Sequence, residues 1–298
     1  MFYIFYGQEK CFLKDEYLRI SQNTKCILYQ YLKDNEISLV NYYFDDFFQY
    51  YVEKNKIQVI SHHFSNNKIE GLTVIDRLGV SFSYERNNPK SKQNFTLCHE
   101  LGHYILNHKG LFFTETADNQ ENLVEREANI FSAVVLMPDI VLLSKIYYNC
   151  EGFHNVHKSL EVSKQALYFR LLDLFRVYFP NKESEIKSSI DSYIDGQNAS
   201  LLLLFHEIKE SIIHEFNQYK PSLLNKIKRK ISKSGFATSQ DIPELLNQKK
   251  WNQLKKDNPN LKIWLIYNKG KSIAYVWDSR KLSDKEAKKK AELQLLLI

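Results

Sequence analysis

Apolar positions along the chain change period several times, and each change marks an element. Between residues 14 and 33 they recur with broad helical spacing (Tyr17, Leu18, Ile20, Cys26, Ile27, Tyr29, Tyr31). Between 39 and 54 the spacing is cleaner (Val40, Tyr43, Phe44, Phe47, Phe48, Tyr51). Both stretches are predicted to be helices. Lys56 to Ser61 (KIQVIS) reads as a strand. Leu72 to Asp76 and Gly79 to Tyr84 read as two more, joined by a short turn at Arg77 and Leu78. In the second of these Val80, Phe82 and Tyr84 alternate with serine, the pattern of a strand with one buried face. Helical period returns in Phe95 to His108 (FTLCHELGHYILNH), where Phe95, Leu97, Leu101, Tyr104, Ile105 and Leu106 make an apolar segment. Pro89, Lys90 and Ser91 precede it as a loop placed to cap it. Glu121 to Met137 (ENLVEREANIFSAVVLM), closed by Pro138, is a further helix, and Ile140 to Tyr148 follows it.

In the stretch 154 to 179, Val156, Leu160 and Val162 give a short helix. A turn follows near Glu161 to Ser163, then a longer helix capped by Ser163 and carrying Ala166, Leu167, Leu171 and Leu174. The pair resembles half of a helix-turn-helix, but Tyr168, Phe169, Leu172 and Phe175 leave little polar surface for reading DNA. From Pro180 to Ser184 the chain turns polar and charged, which sets a boundary there. Residues 1–180 then form one domain and 181–298 a second, α+β module. In the second part Ser200 to Tyr219 and Leu223 to Ile231 are helices. Leu261 to Tyr267 and Ser272 to Trp277 form a hairpin across Asn268-Lys269-Gly270-Lys271, and Ser283 to Leu296 is a final helix. The fold class read from this order is α+β.

Candidate chemistry concentrates in His99-Glu100-Leu101-Gly102-His103. On a helix, residues i and i+4 share a face, so both imidazoles point to one spot. Glu100 projects beside that spot, placed to accept a proton from a metal-bound water. Two neutral nitrogen ligands with an adjacent carboxylate are what a zinc hydrolase needs. A catalytic zinc takes a third protein ligand, and the helix after it offers Glu125, Glu127 and Glu121. Glu125 is preferred. Asn129 lies four residues on, able to hydrogen-bond a ligand histidine. Ala128, Ser132 and Ala133 are small enough to let the two helices approach. Glu125 and Glu127 stand about 200° apart around a helix, so they do not both face one ion. His108, five residues after His103, points about 140° away if the helix runs on. His62 and His63 follow a strand, where adjacent side chains face opposite ways, and read as a polar strand end.

These motifs carry a resemblance. FTLCHELGHYILNH followed by EREANIFSAVVLMP resembles the ImmA/IrrE family of metallo-endopeptidases over roughly residues 40 to 175. Matching residue by residue puts the metal ligands on His99, His103 and Glu125 and the general base on Glu100. Ala128, Asn129, Phe131, Leu136, Met137 and Pro138 fall in register. Cys98 stands where a small residue such as alanine is usual, Ser132 replaces an alanine and Val135 a leucine. The resemblance implies a zincin-like minimal metallopeptidase domain, a small sheet packed on the two helices, with the C-terminal module added. It implies a Zn2+ cofactor and a protein substrate, a helix-turn-helix transcriptional repressor of a mobile element or stress operon. A competing reading is a non-catalytic regulator-binding or DNA-binding protein with a structural or vestigial zinc site. The intact Glu100 favours the enzyme.

Composition narrows this picture in a few ways. With 298 residues and 44% hydrophobic content there is ample core for a large domain or two smaller ones. The 9 Gly and 6 Pro argue against a loop-rich or disordered chain. A net charge of +6 permits a nucleic-acid contact without requiring one, and the run Lys226, Lys228, Arg229, Lys230 and Lys233 reads as a solvated face. Cys11, Cys26, Cys98 and Cys150 form no CxxC pair and read as free thiols of a reducing cytosol. MFYIFYGQEK lacks the basic start of a signal peptide, and no apolar run is read as a membrane span, so a cytoplasmic location is expected.

Overall fold

The amphipathic stretches become helices α1 (Lys10–Asn35) and α2 (Phe44–Asn55), and the alternating ones strands β1 (Gln58–His62), β2 (Ile69–Asp76) and β3 (Gly79–Glu85). The structure, a computed structural model, describes residues 10–64, 69–108, 112–116 and 123–297. The N-terminal apolar run and Glu121 lie outside them. After β3 come α3 (Lys90–Ile105), β4 (Phe112–Thr116), α4 (Leu123–Leu136) and α5 (Asp139–Leu142). A π-helical turn, Leu143–Tyr148, leads to α6 (Phe153–Ser159), α7 (Lys164–Tyr178), α8 (Glu183–Ile194) and α9 (Ala199–Asn217). Ser163 caps α7 as its sequence indicates, its Oγ accepting from Ala166 N. At the start of α3 no side chain caps the helix. The Pro89 carbonyl accepts from the Lys92 and Gln93 amides instead.

One sheet has the order β1-β3-β2-β4, with β1 parallel to β3 and the other pairs antiparallel. Helix α3 packs against β2 and β3 on one side and α4 on the other. Phe82, the middle apolar residue of the alternating strand, is fully buried and meets Phe48 of α2 and Tyr104 of α3. The core continues through Leu97, Cys98 and Leu101 of α3 and Phe131 and Val135 of α4. Burial of each large apolar side chain contributes about 1.5–3 kcal/mol. Cys98 departs from the family pattern at no visible cost: it is fully buried as a small apolar residue, and burial pushes its thiol up and out of reactivity. By length and composition Leu123–Tyr148 could cross a bilayer, contrary to the expectation that no apolar run is long enough. Yet 83% of its most apolar window is buried inside the unit, where it is core.

Contacts divide the chain into one unit of residues 1–32 and 37–219 and another of residues 33–36 and 220–298. The division falls at Tyr219/Lys220, not near residue 180, because α8 and α9 pack with the first unit. Ile186, Ile190 and Tyr193 of α8 and Leu201, Phe205, Ile208 and Ile212 of α9 are buried in the same core as Phe131. The helix pair α6 and α7 also turns inward, burying Leu167, Leu171, Leu174 and Phe175.

The second unit has α10 (Leu223–Ser234), β5 (Phe236–Thr238), α11 (Trp251–Asp257), β6 (Leu261–Asn268), β7 (Lys271–Asp278) and α12 (Asp284–Leu296). Its antiparallel sheet runs β5-β7-β6. Lys269 and Gly270 both take positive φ, 47° and 81°, as a two-residue hairpin turn requires. Within the basic run, Lys226 pairs with Glu244, Arg229 with Glu36 and Lys230 with Asp241. That run is therefore partly neutralised inside its own unit.

Candidate metal centre

Helix α3 sets His99 and His103 one turn apart, and both are about 1% exposed. Their Nε2 atoms lie 2.9 Å apart. Glu125 reaches them from α4, with Oε2 3.0 Å from His99 Nε2 and Oε1 3.6 Å from His103 Nε2. Among the described residues these three form a group whose donor atoms all lie within 4.8 Å of one another. The approach of the helices depends on Gly102. A Cβ there would lie 3.1 Å from the Phe131 ring and 3.3 Å from the Ala128 Cα. Small residues at 102 and 128 therefore set the spacing that lets Glu125, one turn before Ala128, reach across.

Burial works to raise the Glu125 carboxyl, but hydrogen bonds from His103 and His99 outweigh it and hold it at about 2. Burial lowers His103 below its ordinary range, with Glu125 opposing. Both shifts favour the ionisation state a cation needs, a carboxylate and neutral imidazoles. Asn129 stands where its spacing indicated, Oδ1 2.9 Å from His99 Nδ1. With Nδ1–H donating there, a neutral His99 ring would present its Nε2 lone pair to a cation held with Glu125 and His103. The donor set thus fits a divalent metal of the kind that takes nitrogen and oxygen ligands.

Glu100 is buried beside the group and accepts a hydrogen bond from Thr73 Oγ1 on β2. Space for its carboxylate comes from Gly71 on the same strand. A Cβ at 71 would lie 2.4 Å from Glu100 Oε1 and 2.5 Å from Thr96 Cγ2. Neither Thr73 nor Gly71 was picked out from the sequence, because only the strand register brings them to α3. Gly71→Ala is expected to cost about 1–3 kcal/mol through overpacking, read as a lower urea midpoint. An unchanged midpoint would show that the strand moves aside freely.

His108 departs from expectation. Helix α3 ends at Ile105, Asn107 takes a left-handed φ of 56°, and His108 N donates to His103 O while Asn107 N donates to Tyr104 O. This is a Schellman turn. It folds His108 back so that its Nδ1 lies 2.9 Å from His103 Nδ1, where a continuing helix would carry it about 140° away. Asn at that position was the available signal, since Asn follows Gly in tolerating the left-handed region. Glu127 does not join the donor group: it accepts from His108 Nε2 at 2.9 Å and pairs with Arg19. His62 and His63 stay apart from it, with His63 beside Glu85 at 3.2 Å.

Residues 52–172 match the model of a peptidase family, Peptidase_M78, described as the IrrE N-terminal-like domain. No curated protein and no solved structure matches the chain. The match runs from the end of α2 into α7 and contains β1 to β3, both metal-facing helices and all three donor residues. The match supports membership of the ImmA/IrrE family for this segment, which points to a metal-dependent peptidase.

Proposed function

We propose that the protein is a zinc-dependent endopeptidase whose substrate is a helix-turn-helix transcriptional repressor of a mobile element or stress operon, acting in the cytoplasm. The convergence of His99 Nε2, His103 Nε2 and Glu125 with Glu100 beside them carries the catalytic part of this reading. The resemblance to the family carries the choice of substrate. His99, His103 and Glu125 would hold the ion, which when bound supplies Lewis acidity and lowers the pKa of water. The Glu100 carboxylate, held by Thr73, takes a proton from the attacking water and delivers it to the leaving amine nitrogen. Asn129 keeps the His99 ring in the tautomer that presents Nε2.

Metal analysis of purified protein is expected to find about one zinc per chain, as a mononuclear site requires. His103→Ala is expected to lose it. Full zinc in that variant would overturn the site assignment. Incubation with a small repressor encoded beside this gene is expected to give fragments by mass spectrometry that a chelator suppresses. Zinc binding without cleavage of any repressor would favour the non-catalytic reading.

A further inference from the structure

We propose that His108 and Glu127 are positioning residues of the metal centre, forming a relay that fixes the tautomer and ring angle of His103. The inference rests on the reading of His99, His103 and Glu125 as a metal site. A histidine that gives Nε2 to a cation carries its proton on Nδ1, and that proton needs an acceptor. For His99 the acceptor is Asn129. For His103 the group facing Nδ1 is another imidazole, His108 Nδ1 at 2.9 Å. Two such nitrogens bond when one is protonated and the other is not. His108 accepts only as the Nε2–H tautomer, and Glu127 Oε2, 2.9 Å from His108 Nε2, selects that tautomer by accepting its proton.

The order of bonds is therefore fixed from the outside in. Arg19 of α1 pairs with the Glu127 carboxylate, Glu127 accepts from His108 Nε2–H, and His108 Nδ1 accepts from His103 Nδ1–H. His103 Nε2 is left facing Glu125 and His99. The His108 side chain is 6% exposed and that of Glu127 13%, so water competes weakly for these bonds. The relay also explains how two glutamates on opposite sides of α4 serve one centre. Glu125 meets the ligand nitrogens directly, and Glu127 meets the far side of one ligand ring through a second histidine.

The test is zinc affinity of the full chain, measured by chelator competition with zinc chloride. His108→Ala and Glu127→Ala are each expected to weaken binding about 10- to 100-fold, the range for loss of a ligand's hydrogen-bond partner. Glu127→Gln keeps an acceptor oxygen and should recover most of the affinity. His108→Asn places an amide oxygen where Nδ1 stood, so it should bind within about threefold of the wild type, an estimate from the retained acceptor. It severs the link to Glu127, so adding Glu127→Ala to it should change nothing further. In zinc-loaded wild type, long-range 1H–15N spectra should show His103 protonated on Nδ1 and His108 on Nε2. Wild-type affinity in both alanine variants, or His108 protonated on Nδ1, would overturn the relay. A wild type that binds no zinc would instead overturn the metal site, so the two failures are distinguishable.

Discussion

Glu100→Gln is expected to retain zinc and fold while proteolysis falls at least about a hundredfold, the lower range for loss of a general base. The substitution keeps the size of the side chain and an oxygen that can accept from Thr73 Oγ1, so packing against β2 should survive. What it removes is the capacity to take and return a proton. The position is well suited to separate the two functions. Glu100 is buried and adjacent in sequence to His99, yet it lies outside the group of three donors. Zinc content and melting temperature should therefore stay near wild type, in contrast with His103→Ala, which should lose the metal. Single-turnover cleavage of a repressor substrate, measured with equal zinc loading, reads the effect. Undiminished cleavage by Glu100→Gln would rule out this carboxylate as the base.

The centre was legible in the sequence where local geometry alone decides. A histidine pair at i and i+4, a carboxylate four residues before an asparagine and small residues at a helix contact all follow from helical period. The structure brings His99, His103, Glu125 and Asn129 together. What escaped needs non-local information or a break in the period. Thr73 and Gly71 reach Glu100 only through the packing of β2 on α3. His108 escapes helical period because the left-handed turn at Asn107 reverses a chain that the period alone would continue. The boundary expected at Pro180 to Ser184 falls at the start of α8, whose buried face, Ile186, Ser189, Ile190 and Tyr193, is set amid serines and charges. Strand β5 has three residues, too few for any period to show.

Nothing in the local pattern announces the ion cluster beneath α5, and its removal is the largest stability effect expected. Asp139→Ala should destabilise the first unit by about 3–5 kcal/mol, the cost of leaving buried charges without their partner. Asp139 Oδ2 lies 2.8 Å from Lys25 Nζ, and Oδ1 accepts from Arg170, which is itself 2% exposed. Arg170 also donates to the Met137 carbonyl and the Tyr17 hydroxyl, both at 3.1 Å, and Lys25 pairs with Glu215 at 2.9 Å. Five side chains from α1, α5, α7 and α9 thus form one cluster, in which Lys25 and Arg170 touch the Asp139 carboxylate itself. Burial works to raise Asp139, but Lys25 and Arg170 hold it down at about 2. A carboxyl depressed below its unfolded value of about 3.9 contributes stability above that pH and loses it as pH falls through about 2. Asp173 on α7 has the opposite sign, since burial lifts it to about 6 despite Arg176 and Arg170. Its contribution is present below about pH 3.9 and lost as pH rises through about 6. Asp173→Asn should therefore raise the urea midpoint at pH 8 and change it little at pH 4, whereas Asp139→Ala should lower it at both. An Asp139→Ala protein with the wild-type midpoint at pH 8 would mean that Lys25 and Arg170 are solvated, and the cluster would not be holding these helices together.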